Sequence, residues 1–284
     1  MEKKMNTVIF ILASAMPLII VSLGALYSEY AGRMVFFLDG LITLSAFICY
    51  TVAVKTQSFA LAVIACTVIP SLFVFTVSFI IEKFKFNSFI ASLSQNIFLL
   101  SVVTAFSAVI FKTRGVLTSE LINISQNVFR FCSILSGIII ISASYFFLHR
   151  TKKGLYLRIT GSDSEVLENA KVNPAHYRIL SWVLAGLTGS VTGVLLLLRL
   201  SSFVPNISSG IGWTSLAIVF LGKKDDVKVV GMALLFSVAQ YLANNIQNVE
   251  CFKNVPSAFL LALPYLICLL MLVLIPHRKY MNRK

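Results

Sequence analysis

The stretch Ile179-Leu-Ser-Trp-Val-Leu-Ala185-Gly-Leu-Thr-Gly189-Ser-Val-Thr-Gly193-Val-Leu-Leu-Leu-Leu-Arg-Leu200 decides the class of fold. It is predominantly apolar over about the 20 residues that an α-helix needs to cross a hydrocarbon core. Lipid offers no partner to exposed backbone groups, so a span of this kind is a helix. Small residues recur at Ala185, Gly189 and Gly193. Spacing of four places them on one face, where another helix can approach closely.

The composition agrees with this reading along the whole chain. Of 284 residues, 58% are hydrophobic and 12% charged, against about 45–50% apolar and roughly 25% charged in a soluble domain. The mean hydropathy is +0.89. A globular protein this poor in charge could not cover its surface with polar groups, which disfavours a soluble enzyme. The expected fold class is an all-α polytopic membrane protein, a single transmembrane domain over 1–284 with about eight to ten transmembrane or re-entrant helices.

Working outward from 179–200, apolar runs occur at Thr7–Tyr27, Met34–Val54, Ser58–Ile81, Phe89–Phe111, Val128–Leu148, Ile211–Gly222, Val229–Gln247 and Ala258–Ile275. The Ile211–Gly222 run is too short to cross unaided and is read as re-entrant or joined to its neighbour. The first run is too long for a signal-peptide core and reads as an uncleaved anchor, although Ala13-Ser14-Ala15 fits a small-residue cleavage pattern.

The net charge of +13 is read as topology and lipid contact rather than nucleic-acid binding, because the basic residues gather in 149–178 and 277–284. The loop over residues 150–178 is therefore expected in the cytoplasm, which puts uncharged Ser201–Gly210 outside, Lys223–Lys228 inside, Asn248–Val255 outside and the tail His277–Lys284 inside. Counting back places the N-terminus outside, against the weak basic bias of Met1-Glu2-Lys3-Lys4. Either that bias is overruled or one early run does not cross, with Asp39-Gly40 the expected break.

Motifs for chemistry are missing. The chain has no GxxxxGK[ST] phosphate loop and no HExxH, and its five cysteines and three histidines have no metal-ligand spacing. No catalytic residue, metal or cofactor is expected in this chain. Asp39 is a carboxylate in an apolar run, costly at about 2.5–3.5 kcal/mol in mid-helix; it is either a pathway or gating residue or a helix-break residue satisfying backbone N–H groups. Asn96 either holds polar substrate atoms or joins helices. The amides from Asn244 to Gln247 read as interfacial.

Between two spans, Gly161-Ser162-Asp163-Ser164-Glu165 looks like a helix start, with Ser162 or Asp163 as cap and acidic residues in the first turn. Val166, Leu167 and Ala170 are spaced as one apolar stripe, Lys171 ends the helix and Asn173-Pro174 stops it. Such a helix lies on the membrane surface or docks into a partner's groove.

These residues resemble the permease subunits of ABC importers for simple sugars and nucleosides, most closely the nucleoside-uptake branch. The resemblance is carried by Thr151-Lys-Lys-Gly154-Leu-Tyr-Leu-Arg158-Ile-Thr-Gly161, by Ala185-Gly-Leu-Thr-Gly-Ser190, by Phe203-Val-Pro205, by Gly212-Trp-Thr-Ser-Leu216-Ala-Ile-Val-Phe-Leu221-Gly222 and by Leu263-Pro-Tyr-Leu266. Earlier matches are Ser28-Glu29 with Gly32, Asp39-Gly40 and Asn87–Asn96. Departures are Val35-Phe36-Phe37 in place of an N-x-G element, Ser164 in place of proline and Lys171 in place of glycine.

The resemblance implies that Ser162–Lys171 is a coupling helix, with Arg158, Gly161, Asp163, Glu165, Leu167 and Ala170 coupling to a separate ABC ATPase subunit, which holds the ATP and Mg. Asp39, Asn96, Phe203 and Trp213 become substrate-pathway candidates. The implied partners are that ATPase, a second permease subunit in a heterodimeric pore, an extracytoplasmic substrate-binding lipoprotein, membrane lipid, and a nucleoside or sugar. The implied location is the cell membrane, with several passes. A sugar permease of the same superfamily and a non-transport membrane scaffold are the alternatives.

Overall fold

A computed structural model describes residues 2–246 and Leu266. The elements are α1 (Glu2–Tyr30), α2 (Leu38–Thr56), α3 (Phe59–Phe84), α4 (Ser88–Phe111), β1 (Leu117–Thr118), a 3₁₀ turn (Glu120–Ile122), α5 (Gln126–Arg150), α6 (Lys152–Ser162), α7 (Ser164–Asn169), α8 (Pro174–Leu200), β2 (Ser202–Phe203), α9 (Ile211–Leu221) and α10 (Asp226–Ile246). Seven of the described helices are long and apolar enough to cross a membrane: α1 to α5, α8 and α10. The only described strands form one short antiparallel pair, Leu117 opposite Phe203 and Thr118 opposite Ser202. Apart from Leu266, the Ala258–Ile275 run lies outside the described residues, as do the 248–255 loop and the basic tail.

Helices α1, α2 and α8 form the core, and the small-residue stripe of α8 lets them meet. A Cβ on Gly193 would collide with the Ile42 carbonyl oxygen and crowd Ser45, and one on Gly189 would press on Leu41. Ala185 faces Gly24 of α1, where an added Cβ would lie 3.2 Å from the Ala185 Cα. The polar groups of this interior bond to one another: Ser45 Oγ lies 2.9 Å from the Ser190 carbonyl and 3.0 Å from that of Cys66, and Thr192 Oγ1 donates to the Pro17 carbonyl at 3.2 Å. Large apolar side chains on α3, α4 and α5, such as Ile64, Phe98 and Ile139, point outward, as lipid requires.

Side-chain pairs fix which helix ends share a face. Glu29 with Lys224 (2.7 Å), His149 with Asp226 (3.0 Å), and Glu82 with Arg33 gather at the end carrying the basic loops, which the positive-inside rule makes cytoplasmic. At the other end Phe10 meets Tyr241 edge-on at 6.2 Å, and the Tyr50 hydroxyl donates to the Thr118 carbonyl. The N-terminal end of α1 is thus opposite the 150–178 loop, so the weak bias of Lys3-Lys4 is overruled.

The expected break at Asp39-Gly40 needs correction. The chain does cross there, but the 34–54 run is not helical throughout. It rises from Arg33 as non-helical backbone and becomes α2 at Leu38, with Asp39 in the first turn. Helix α2 begins where Leu38 and Leu41 face Gly189, near the middle of α8. The connection from Arg33 ends in a turn at Phe36-Phe37, from which α2 starts partway through the core. The short run behaves symmetrically: after β2 the chain turns back inward through Pro205–Gly210 and starts α9 beside Asp39.

Candidate functional site

At mid-depth the N-terminus of α2, 19 residues long, faces that of the short helix α9, 11 residues long. Helix α2 has Phe37 as N-cap, whose side chain caps nothing, and α9 starts from Gly210 at φ +82°, a left-handed conformation that glycine adopts without cost. Both ends therefore present unsatisfied N–H groups and the positive ends of their dipoles. Side chains from elsewhere fill the need. Asp39 Oδ1 accepts from the Gly212 backbone N–H at 2.9 Å, and Asn96 Oδ1 of α4 accepts from the Gly40 N–H at 2.6 Å. Ser92 Oγ accepts from Phe36 N–H at 2.7 Å.

The glycines are required by proximity. A Cβ on Gly212 would lie 2.7 Å from the Asp39 nitrogen, and one on Gly40 the same distance from the Asn96 carbonyl oxygen. Thr43 Oγ1 donates to the Asp39 carbonyl at 2.9 Å and lies 3.3 Å from Ser208 Oγ, which in turn donates to Asn206 Oδ1 at 3.2 Å. Irregular backbone is tolerated at membrane depth only where protein buries it, and Asp39, Asn96 and Ser208 are all buried.

Of the four pathway candidates, the structure joins Asp39 and Asn96 in this junction. Trp213 follows Gly212, but its ring is 46% exposed and leans on Phe36 at 5.2 Å. Phe203 stands apart, buried against Phe47 (5.3 Å), and borders a cavity of about 200 Å³ with Thr43, Thr104, Ser107, Arg114 and Asn206. Sequence reasoning missed Thr43, Ser92 and Ser208. Only the polar run Asn206-Ile-Ser-Ser209 before a short apolar helix signalled a loop with work to do at depth.

The strand of chain leading to the junction is pinned at the cytoplasmic end. Arg33 pairs with Glu82, which also lies 4.0 Å from Arg178, and the guanidinium sits 5.8 Å above the Trp182 ring. Burial weighs against the Arg33 charge, and the Glu82 carboxylate supports it.

On the same face, α6 and α7 differ from the single helix expected over Ser162–Lys171. Ser162 ends α6, and Asp163 alone caps α7, accepting from the N–H groups of Glu165 (3.1 Å) and Val166 (3.4 Å). Lys171 has φ +57°, and Asn173-Pro174 starts α8 instead of stopping α7: Asn173 Oδ1 accepts from Ala175 N–H at 2.9 Å. The apolar stripe also divides. Leu167 is buried inside the chain, whereas Val166 is 50% exposed and Ala170 faces outward. Helix α7 ends at Asn169, so Ala170 lies past its last turn and the three residues do not share one face.

The six coupling candidates therefore separate. Arg158 donates to the Leu148 carbonyl at 2.8 Å and lies 5.5 Å over Tyr30, and a Cβ on Gly161 would run into the Tyr30 carbonyl. These two, with Leu167, hold α6 and α7 against the bundle. Glu165 and Ala170 are presented to solvent, and Asp163 shapes the turn between the helices.

The chain is thus an all-α polytopic bundle in which α2 and the short α9 start beside each other inside the membrane. The family of branched-chain amino acid transport system permease components matches residues 7–276, and the chain belongs to it. It is a multi-pass cell-membrane protein.

The nucleoside ABC transporter permease protein NupC of Lactococcus lactis is 28% identical over 139 residues, 49% of this chain and 44% of that protein. The guanosine ABC transporter permease protein NupQ of Bacillus subtilis is 28% identical over 130 residues, 45% and 41% of the two. The ribose import permease protein RbsC of Escherichia coli K12 is 30% identical over 84 residues, 30% and 26%. The matched part thus spans less than half the length of these curated relatives. Among solved structures, PsaBC from Streptococcus pneumoniae in complex with Fab has the same fold, with a TM-score of 0.52 at 17% identity over 95% of this chain and 92% of that one.

Proposed function

We propose that this chain is the transmembrane permease subunit of an ATP-driven ABC importer for purine or other nucleosides. It carries no catalytic step of its own: a separate ATPase binds and hydrolyses ATP-Mg, a second permease completes the pore, and an extracytoplasmic binding lipoprotein delivers the solute. The observation that carries the reading is the α6–α7 corner. It is braced from within by Arg158, Gly161 and Leu167, and it offers Glu165, Val166 and Ala170 outward on the cytoplasmic side. A rigid ridge with a small exposed apolar patch suits docking into a partner's groove. Closure of the partner would then rotate the bundle, and the junction of α2 with α9 is the element whose relative movement alternates access. The names of two relatives favour nucleosides.

Uptake of labelled purine nucleoside by cells lacking the chain is expected to collapse and to return with the wild type. Val166→Asp with Glu165→Lys should insert normally yet restore no uptake. Unchanged uptake of every nucleoside after deletion would overturn the substrate. Transport surviving the double variant would overturn the docking ridge. The match to a ribose permease supports a simple sugar as a second reading, which competition by free ribose or galactose against nucleoside separates.

A further inference from the structure

A cavity of about 490 Å³ opens at the extracytoplasmic end of the bundle, between Phe10 and Ser14 of α1, Arg130 of α5, Arg199 of α8, and Gln240, Asn244 and Asn245 of α10. Its charge is one-sided. Two guanidinium groups line it and no carboxylate does. Among the described residues neither arginine has an ion-pair partner. Arg130 is held only by its cation–π contact 5.6 Å over Phe10, and its Nε is buried without a hydrogen-bond partner, as is Ser14 Oγ.

Arginines at helix ends commonly reach toward lipid headgroups with their charge in water. That does not describe a pair converging on one concave site with buried donors unmet, each of which costs free energy until something accepts from it. Arg199 in the last turn of α8 is favoured there by the helix dipole, but among the described residues no carbonyl or carboxylate accepts from its guanidinium. Planar guanidinium forks match oxyanions in charge and shape, and the amides of Gln240 and Asn244 add neutral donors around the rim.

We propose that this cavity binds an oxyanion of the phosphate class, held between Arg130 and Arg199 with Ser14 as a further donor. The two sources of such a group are the headgroup of an anionic phospholipid in the outer leaflet and free phosphate. The site is independent of the nucleoside reading, because a neutral nucleoside brings no counter-charge. Through Ser14, Arg199 and Gln240 it adjoins a smaller cavity bordered by Ser209, Ile211 and Thr214 at the start of α9.

The full chain, purified into phosphatidylcholine nanodiscs, is challenged with inorganic phosphate by calorimetry, and with phosphatidylglycerol by counting retained lipid in native mass spectrometry. Binding of either probe is expected, weakened about tenfold or more in Arg199→Gln and abolished in Arg130→Gln with Arg199→Gln. Arg199→Lys keeps the charge and should retain part of the affinity, which guards against reading misfolding as lost binding. Phosphate binding alone assigns the free anion, and phosphatidylglycerol binding alone assigns the lipid. No binding of either probe, or binding unchanged in the double variant, overturns the proposal.

Discussion

Helices α2 and α5 are both apolar spans, yet 72% of the α2 span is buried inside the protein and only 22% of the α5 span. Over its most apolar window the more buried helix is the less apolar of the two. It carries Asp39, Thr43 and Ser45, each bonded across to α9, to the 201–210 loop or to α3 and α8. Helix α5 presents Phe131, Ile138, Ile139 and Phe146 outward and keeps its small groups inside, with Ser133 donating to the Ala13 carbonyl at 2.7 Å and Gly137 against Met16. In lipid, apolar surface gains nothing by being buried between helices, so close packing and interhelical hydrogen bonds decide what goes inside. The contrast therefore concerns where polar and small residues lie, and apolarity alone does not sort the helices: α1 is strongly apolar and 67% buried.

That contrast can be broken at its tightest point. Gly193→Val drives a side chain into the Ile42 carbonyl and should destabilise the bundle by about 3 kcal/mol or prevent its accumulation in membranes. Ile138→Ala on the lipid face of α5 should leave the yield and thermal midpoint of the solubilised protein close to wild type. Equal losses from the two would remove the distinction between the helices.

A smaller effect sharpens the account of the junction. Asp39→Leu leaves the Gly212 N–H without its acceptor, a loss of about 1–3 kcal/mol, whereas Asp39→Asn keeps an acceptor oxygen and should retain most of the stability. Thermal unfolding in detergent compares the two. If Asn is as damaging as Leu, the charge matters rather than the hydrogen bond.

The smallest effect is at the cytoplasmic rim. His149 and Asp226 join α5 to α10 at 3.0 Å with the histidine 37% exposed, so His149→Gln should cost below about 1 kcal/mol. A loss as large as that from Gly193→Val would mean that the rim, and not the small-residue core, holds the bundle together.

The sequence made the spans legible because their signal is additive over some twenty residues. The Ala185, Gly189 and Gly193 stripe gave the packing face of α8 for the same reason. The helices that start at mid-depth were only partly legible. The Ile211–Gly222 run was short enough to be seen as re-entrant, but nothing local marks Asn96 as the cap of a helix 56 residues away. The helix expected over Ser162–Lys171 begins at the second of its two possible caps, Asp163, because the fit of Gly161 against Tyr30 lets α6 continue to Ser162. Likewise Asn-Pro stops and starts helices alike, and tertiary contact decides which. That Arg130 and Arg199, on two different helices, line one cavity left no local signal.

The central claim is that this chain works with a separate ATPase docked on the α6–α7 ridge. Mild solubilisation of the full chain, followed by affinity capture and mass spectrometry of what accompanies it, tests that directly. The account predicts a P-loop ATPase and a second permease with the wild type, and loss of the ATPase alone in Val166→Asp with Glu165→Lys. Recovery of the wild-type chain with no ATPase, from membranes in which it is abundant, would contradict it.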